Sequence, residues 1–219
     1  MKVELITYTP EPEKICAIAA HSWCAKDFTD LASKELSDQE IHDILKRMLR
    51  IGHHSVIEHA NFTFYISGVS RVLSHQLVRH RIASYSQQSQ KCVQLDEPSF
   101  ITPQSIKRNP KANKKYRQIM DNIWEGYRFL LDAGINADDA RLILPNATTT
   151  AIIVTMNARE LRHFFEVRCC ERANWEIRKM AYAMLKEVRK VAPIFFEESG
   201  PCCDICLESL PNCKNKKKK

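Results

Sequence analysis

Between Arg79 and Lys91 the chain reads RHRIASYSQQSQK, three cationic or cationisable side chains followed by a run rich in hydroxyl and amide groups. Consecutive residues point different ways on any regular element, so Arg79, His80 and Arg81 cannot share one solvated face. Ser and Gln pack poorly in a core but suit hydrogen bonding to phosphates, ribose hydroxyls and base edges. A polar helix end running into a loop is the alternative that folding alone allows. A second group lies in NARELRHFFEVR, Asn157 to Arg168. On a helix Arg159 and His163 share a face, while Arg162 and Glu166 read as solvated charges opposite Leu161, Phe164 and Phe165. Arg168 follows Leu161 by seven and Phe164 by four, which places it on the apolar side. A cation there needs a polar or anionic partner, because burying it unpaired is costly.

Other clusters are less specific. GHHSVIEH, Gly52 to His59, gathers His53, His54, Glu58 and His59, but it lacks the HExxH and HxxEH zinc spacings. A turn that aims one or two imidazoles at hydrogen-bond partners is the expected reading, and no metal is assigned. Cys202, Cys203, Cys206 and Cys213 include one CxxC pair without a second, a weak zinc or disulfide signal in a peripheral tail. With only five glycines, neither GxGxxG nor a P-loop can be written, so any dinucleotide must be held by side chains. No GxSxG elbow exists to make Ser86 or Ser89 a hydrolase nucleophile.

The elements that must position these groups are legible in the periodicity. Alternation predicts strands at Lys2 to Thr7 and Asn61 to Ser67, and β-branched content predicts one at Thr148 to Thr155. Ser37 and Glu40 make a capping-box pair for a helix to Arg50 that Gly52 ends. Helical spacing from Val69 to His80 puts Gln76 and Arg79 on one face, so the RHR motif starts at a helix end. Pro98, Pro103 and Pro110 mark loops. A long helix through Tyr116 and Leu131 stops near Gly134, and Asp138 and Asp139 open a short helix carrying Arg141. Two further helices, Ala158 to Cys170 and Asn174 to Val191, close an expected α+β fold. That fold is a small mixed or antiparallel sheet packed with several long helices, one domain over residues 1–200, with a flexible Cys-containing, Lys-rich tail at 201–219.

The chain has 219 residues and is 44% hydrophobic, enough for a buried core. Its net charge of +7 owes five charges to Lys214 and Lys216 to Lys219, leaving +2 for the rest. A nucleic-acid partner is therefore not expected. No secretory leader and no membrane span is expected either. Nine cysteines, six of them without framework spacing, fit thiols in a reducing cytoplasm.

Taken together, RHR-x7-Ser at Arg79 to Ser89, GHHSVIEH, ARLILP, NARELRHFF and R-x6-WEIR from Arg168 to Arg178 resemble the flavin-dependent thymidylate synthases, in the same order. The resemblance implies methylation of dUMP at C5, with FAD as hydride carrier, 5,10-methylenetetrahydrofolate as carbon donor and NADPH as reductant. It implies FAD contacts from His53, Ser55, Arg79, His80, Arg81, Gln87, Asn157, Arg159 and His163. For dUMP it implies Gln76, Leu77, Val78, Arg79, Gln87, Gln88, Ser89, Gln90, Lys91, Arg141 and Arg168, with Arg168 stabilising charge on the uracil ring. It further implies a homotetramer with shared active sites, in which no enzyme cysteine attacks the base. Lys91 stands where the family usually has Arg, keeping the charge but losing the bidentate fork, and Ser86 stands where Asn is common.

Overall fold

A computed structural model describes residues 1–23, 25, 35–92 and 97–201. Cys24, the four cysteines from Cys202 to Cys213 and the terminal lysines lie outside the described residues. The fold is α+β, built on a four-stranded antiparallel sheet of order β1-β2-β4-β3: β1 (Lys2–Tyr8), β2 (Asn61–Ser70), β3 (Ala83–Gln87) and β4 (Thr149–Asn157). The helices are α1 (Pro12–Ser22), α2 (Asp38–Arg50), α3 (Arg71–Leu77), α4 (Gln104–Lys107), α5 (Pro110–Asp132), α6 (Ala137–Ala140), α7 (Ala158–Arg168), α8 (Trp175–Val191) and α9 (Pro193–Phe196). Two 3-10 turns, His54–His59 and Arg141–Ile143, complete it. No helix among the described residues is long and apolar enough to cross a membrane.

Contacts divide the chain into two compact units. The first holds Met1–Lys2, Ile66–Arg79 and Ser86–Ile152; the second holds Val3–Tyr65, His80–Tyr85 and the chain from Ile153 on. In the first unit Met120, Trp124 and Tyr127 of α5, with Leu73 and Leu77 of α3, are buried. In the second, α7 packs on α8 and α8 on α9, around an aromatic cluster in which Phe196 meets Phe62, Phe165 and Phe195 edge to face. Edge-to-face rings at these separations add to the stabilisation from area burial alone.

The capping signals hold. Ser37 and Glu40 form both arms of the capping box. Gly52 and Gly134 each adopt positive φ just past a helix end. At Gly52 the next residue, His53, donates its backbone N–H to Met48 at 3.0 Å; at Gly134 the next residue, Ile135, donates to Leu130 at 3.0 Å. These are Schellman closures, which only a residue without Cβ makes without strain.

Four expectations are corrected. The strand at 61 runs through Ser70, whose hydroxyl then caps α3 by accepting from the Leu73 N–H at 3.1 Å. Helix α3 ends at Leu77 rather than His80, and Val72 sits on its exposed side. Pro110 begins a helix instead of breaking one: it occupies the first turn of α5 behind the Asn109 cap, where its missing N–H costs nothing. The polar run after the RHR triplet contains a strand, β3, rather than only loop. Its Ala83, Tyr85 and Gln87 are half-buried while Ser84 and Ser86 are exposed, an alternation that hydropathy does not display.

Candidate functional site

The second unit carries a cleft of about 470 Å³ lined by His54, Glu58, Ile82, Asn157, Arg159, Glu160, Arg162, His163 and Glu166. Most of its wall is the first turns of α7. Strand β4 runs into that helix with no intervening loop, and Asn157 is at once the last strand residue and the helix cap. Its Oδ1 accepts from the Glu160 N–H at 2.9 Å, satisfying one donor orphaned at the helix start. The Ala158 N–H donates to the Ala60 carbonyl at 2.8 Å, tying the start of α7 to the end of the His54–His59 turn. Arg159 and His163 emerge on the same face, both exposed, as their spacing requires. Arg159 pairs with Glu58, the fifth residue of that turn. Ile82 is 65% exposed and gives the cleft an apolar edge.

Beside this cleft lies a buried polar chain. His80 and Glu160 have side chains only 5% and 8% exposed, and His80 Nδ1 stands 3.3 Å from Glu160 Oε1. On the other side of the ring, Arg168 Nε donates to His80 Nε2 at 3.0 Å. Phe164 packs edge-on against the imidazole at 5.0 Å, and the His163 ring is 5.9 Å away. The Tyr85 hydroxyl donates to the His80 carbonyl at 2.7 Å. Burial, then the Arg168 and His163 charges, push the His80 pKa down to about 4, so the ring is neutral at neutral pH. Burial raises the Glu160 carboxyl, opposed by His163, and raises the Tyr85 hydroxyl. The neutral ring is the state in which Nδ1 donates to the carboxylate and Nε2 accepts from the guanidinium. His80 thus gives Arg168 a polar partner of the kind its apolar setting demands.

The remaining residues proposed from sequence for FAD take different places. His53 and Ser55 are exposed at the start of the 3-10 turn, with the His53 ring 5.0 Å from Trp23, and the cleft wall is made by their neighbour His54. Arg81 is exposed next to Ile82. Arg162, expected in solvent, is half-buried and donates to the Phe195 carbonyl; burial lowers its pKa. Glu166 is exposed, as expected.

The residues assigned to dUMP, other than Arg168, fall in the first unit. Gln87 donates from its amide to Ser74 Oγ at 2.9 Å and Thr150 Oγ1 at 3.2 Å, which fixes the end of β3. The Gln88 N–H donates to the Ala151 carbonyl at 2.9 Å. Ser89 and Gln90 are half-buried, and Lys91 and Arg79 are exposed. Gln76 is half-buried, Val78 is exposed at the end of α3, and Leu77 is fully buried in the core rather than on a surface. Arg141 is held by Asp138, with Nη2 2.7 Å from the carboxylate and Nε donating to the backbone carbonyl at 3.2 Å. Arg71 senses the Arg141 charge: burial, then that neighbour, lowers its pKa. Glu160 and Arg71 are not singled out by the sequence. The Asn-x-x-Glu spacing of a helix start was the available signal for Glu160.

Cys16 and Cys169 are buried, with thiols pushed up to about 12 by desolvation. Neither is suited to act as a nucleophile at neutral pH. Among the described residues, no group of three or more His, Cys, Asp or Glu is arranged to hold a metal ion.

Comparison with known proteins converges on one group. The family model described as thymidylate synthase complementing protein matches residues 4–194. A flavin-dependent thymidylate synthase of Geobacter sulfurreducens is 49% identical over 205 residues, 93% of this chain and 88% of that protein. Proteins of the same name from Clostridium tetani and Pyrococcus furiosus are each 43% identical, over 97% and 93% of this chain and 93% and 86% of their own lengths. A crystal structure of the UMP/dUMP methylase PolB from Streptomyces cacaoi, bound with 5-Br dUMP, matches with a TM-score of 0.78 at 22% identity. It covers 90% of this chain and 93% of that one, a likeness of fold.

Proposed function

The chain belongs to the flavin-dependent thymidylate synthase family, and on that premise we propose that it methylates dUMP at C5 to give dTMP. The observation that carries this reading is the part-buried hydrogen bond from Arg168 to His80 beside the cleft wall of Asn157, Arg159 and His163. Its Nε is oriented by a neutral ring, and a guanidinium fixed in this way suits stabilisation of an anionic uracil.

In the proposed reaction the C5 hydrogen leaves as a proton and the methylene carbon of methylenetetrahydrofolate takes its place. Two electrons and a proton originating in NADPH and solvent bring that carbon to the methyl level, and tetrahydrofolate is released. FAD supplies the hydride relay when bound. The cleft residues fit such a group: Arg159 and His163 offer exposed donors to its polar parts, and Ile82 offers apolar surface to a ring system. Side chains must do the holding, since no glycine-rich turn is present.

On the nucleotide, Arg141, Ser89 and Lys91 would bind phosphate, and Gln76, Arg79, Gln87, Gln88 and Gln90 would place sugar and base. Arg168 would face the uracil and stabilise the charge that develops as C5 becomes nucleophilic. The buried, protonated thiols of Cys16 and Cys169 support a reaction without cysteine attack. A cytoplasmic homotetramer with active sites shared between subunits belongs to the same proposal.

The test is an absorption spectrum of the purified protein followed by release of label from C5-tritiated dUMP. Bound flavin and release that requires both NADPH and methylenetetrahydrofolate are expected. Protein that takes up no FAD and releases no label overturns the reading.

A further inference from the structure

We propose that Glu160 is a positioning residue whose carboxylate selects the His80 tautomer that orients Arg168. Three side chains carry the argument, His80 and Glu160 buried and Arg168 half-buried. Arg168 Nε–H points at His80 Nε2 across 3.0 Å, so that nitrogen must be an acceptor. A neutral imidazole that accepts at Nε2 carries its proton on Nδ1. That proton needs an acceptor, and the one within 3.3 Å is Glu160 Oε1. Glu160 is itself fixed, because its N–H is held by the Asn157 cap and its side chain is 8% exposed. The groups facing His80 are Glu160, His163 and Arg168 from α7 and Tyr85 from β3, and of these only Glu160 is an acidic acceptor at the ring. Remove the carboxylate and the ring gains the Nε2–H tautomer, which sets one N–H against another and releases the guanidinium from its aim.

The proposal rests on the reading of Arg168 as a dUMP contact. Its test combines dUMP affinity of the FAD-reconstituted protein with the nitrogen chemical shifts of the His80 ring. The wild type should show Nδ1–H. Glu160→Ala should populate Nε2–H and, at matched flavin occupancy, weaken dUMP binding roughly tenfold or more, the scale of a charge-assisted hydrogen bond. Glu160→Gln, whose amide oxygen can still accept, should keep Nδ1–H and an affinity within about threefold of wild type. In an Arg168→Lys background, which has no Nε–H to place, Glu160→Ala should cause no further loss. Tautomer and affinity must move together in whichever variants fold. A switched tautomer with full affinity, or an equal loss in the Arg168→Lys background, overturns the proposal. Wild-type protein that shows Nδ1–H yet fails to bind dUMP sinks the functional reading instead.

Discussion

His80 and Arg168 are 88 positions apart in the chain and meet at 3.0 Å, guanidinium Nε donating to imidazole Nε2. The bond joins the RHR motif to the end of α7, so two segments that sequence shows separately form one polar chain in the interior of the second unit. Through this bond a neutral ring fixes the orientation of a guanidinium.

Arg168→Ala should therefore lower the rate of C5-hydrogen release from dUMP by about 10²–10³-fold, the usual cost of losing one electrostatic donor to a developing anion. Flavin content should stay at the wild-type level. Single-turnover kinetics with matched flavin occupancy check this; loss of flavin in step with activity would reassign the residue to cofactor binding.

Acid should weaken the fold through His80. Its pKa lies at about 4 in the folded chain against 6.5 for an ordinary histidine, so between those values the unfolded chain binds more protons. Stability from this group is fully present above about pH 6.5 and is lost as pH falls toward 4, by up to ~3 kcal/mol. Glu160, raised above its ordinary 4.5, acts in the opposite sense, since its folded form holds a proton longer as pH rises. The net slope is therefore shallower than His80 alone would give. Urea unfolding at pH 5 and pH 7 should show the loss, and His80→Gln should flatten it; equal pH dependence in both proteins would count against this assignment.

Asn157 has two separable duties. As a helix cap its removal by Asn157→Ala should cost about 1 kcal/mol. Asn157→Ser preserves the cap and should restore stability while leaving any flavin contact impaired. Urea midpoints together with flavin retention on gel filtration separate the two; a serine variant that recovers both would leave the residue a cap alone.

The described cysteines should differ sharply in reactivity. Cys92 is exposed, whereas Cys16 and Cys169 are buried with thiols near 12. Iodoacetamide labelling at pH 8, resolved by peptide mass spectrometry, should mark Cys92 first and leave Cys16 and Cys169 protected until unfolding. Early labelling of Cys169 would contradict the packing of α7.

Lys91→Arg should tighten dUMP binding by a few-fold, because a guanidinium engages phosphate with two parallel hydrogen bonds where an ammonium acts as a point charge. Titration calorimetry of the reconstituted protein measures it. Unchanged or weaker affinity would show that the site is shaped around lysine.

Much of this organisation is legible in the sequence because it is local. The Ser37 and Glu40 capping box, the two terminating glycines and the shared face of Arg159 and His163 all follow from spacing within a turn or two. The requirement that Arg168 find a polar partner is also legible, from the apolar stripe it follows. The identity of that partner is not, since nothing within α7 points 88 residues back. Strand β3 is obscured because its half-buried Ala83, Tyr85 and Gln87 are together no more apolar than its exposed Ser84 and Ser86. Glu160 is hidden for a related reason: a charged residue in the first turn of a helix is the ordinary companion of the helix dipole and gives no hint of burial. Arg71 escapes because its significance is electrostatic proximity to Arg141, a through-space property.

The loopless joint between β4 and α7 limits how such a chain can vary. Asn157 ends one element and caps the next, and the Ala158 N–H is pinned to Ala60. A single inserted residue there would turn every α7 side chain by about 100° around the helix axis relative to β4. Arg159 and His163 would then leave the cleft together with the Glu160 and Arg168 contacts to His80. The residue count from Asn157 to Arg168 should accordingly be invariant among relatives.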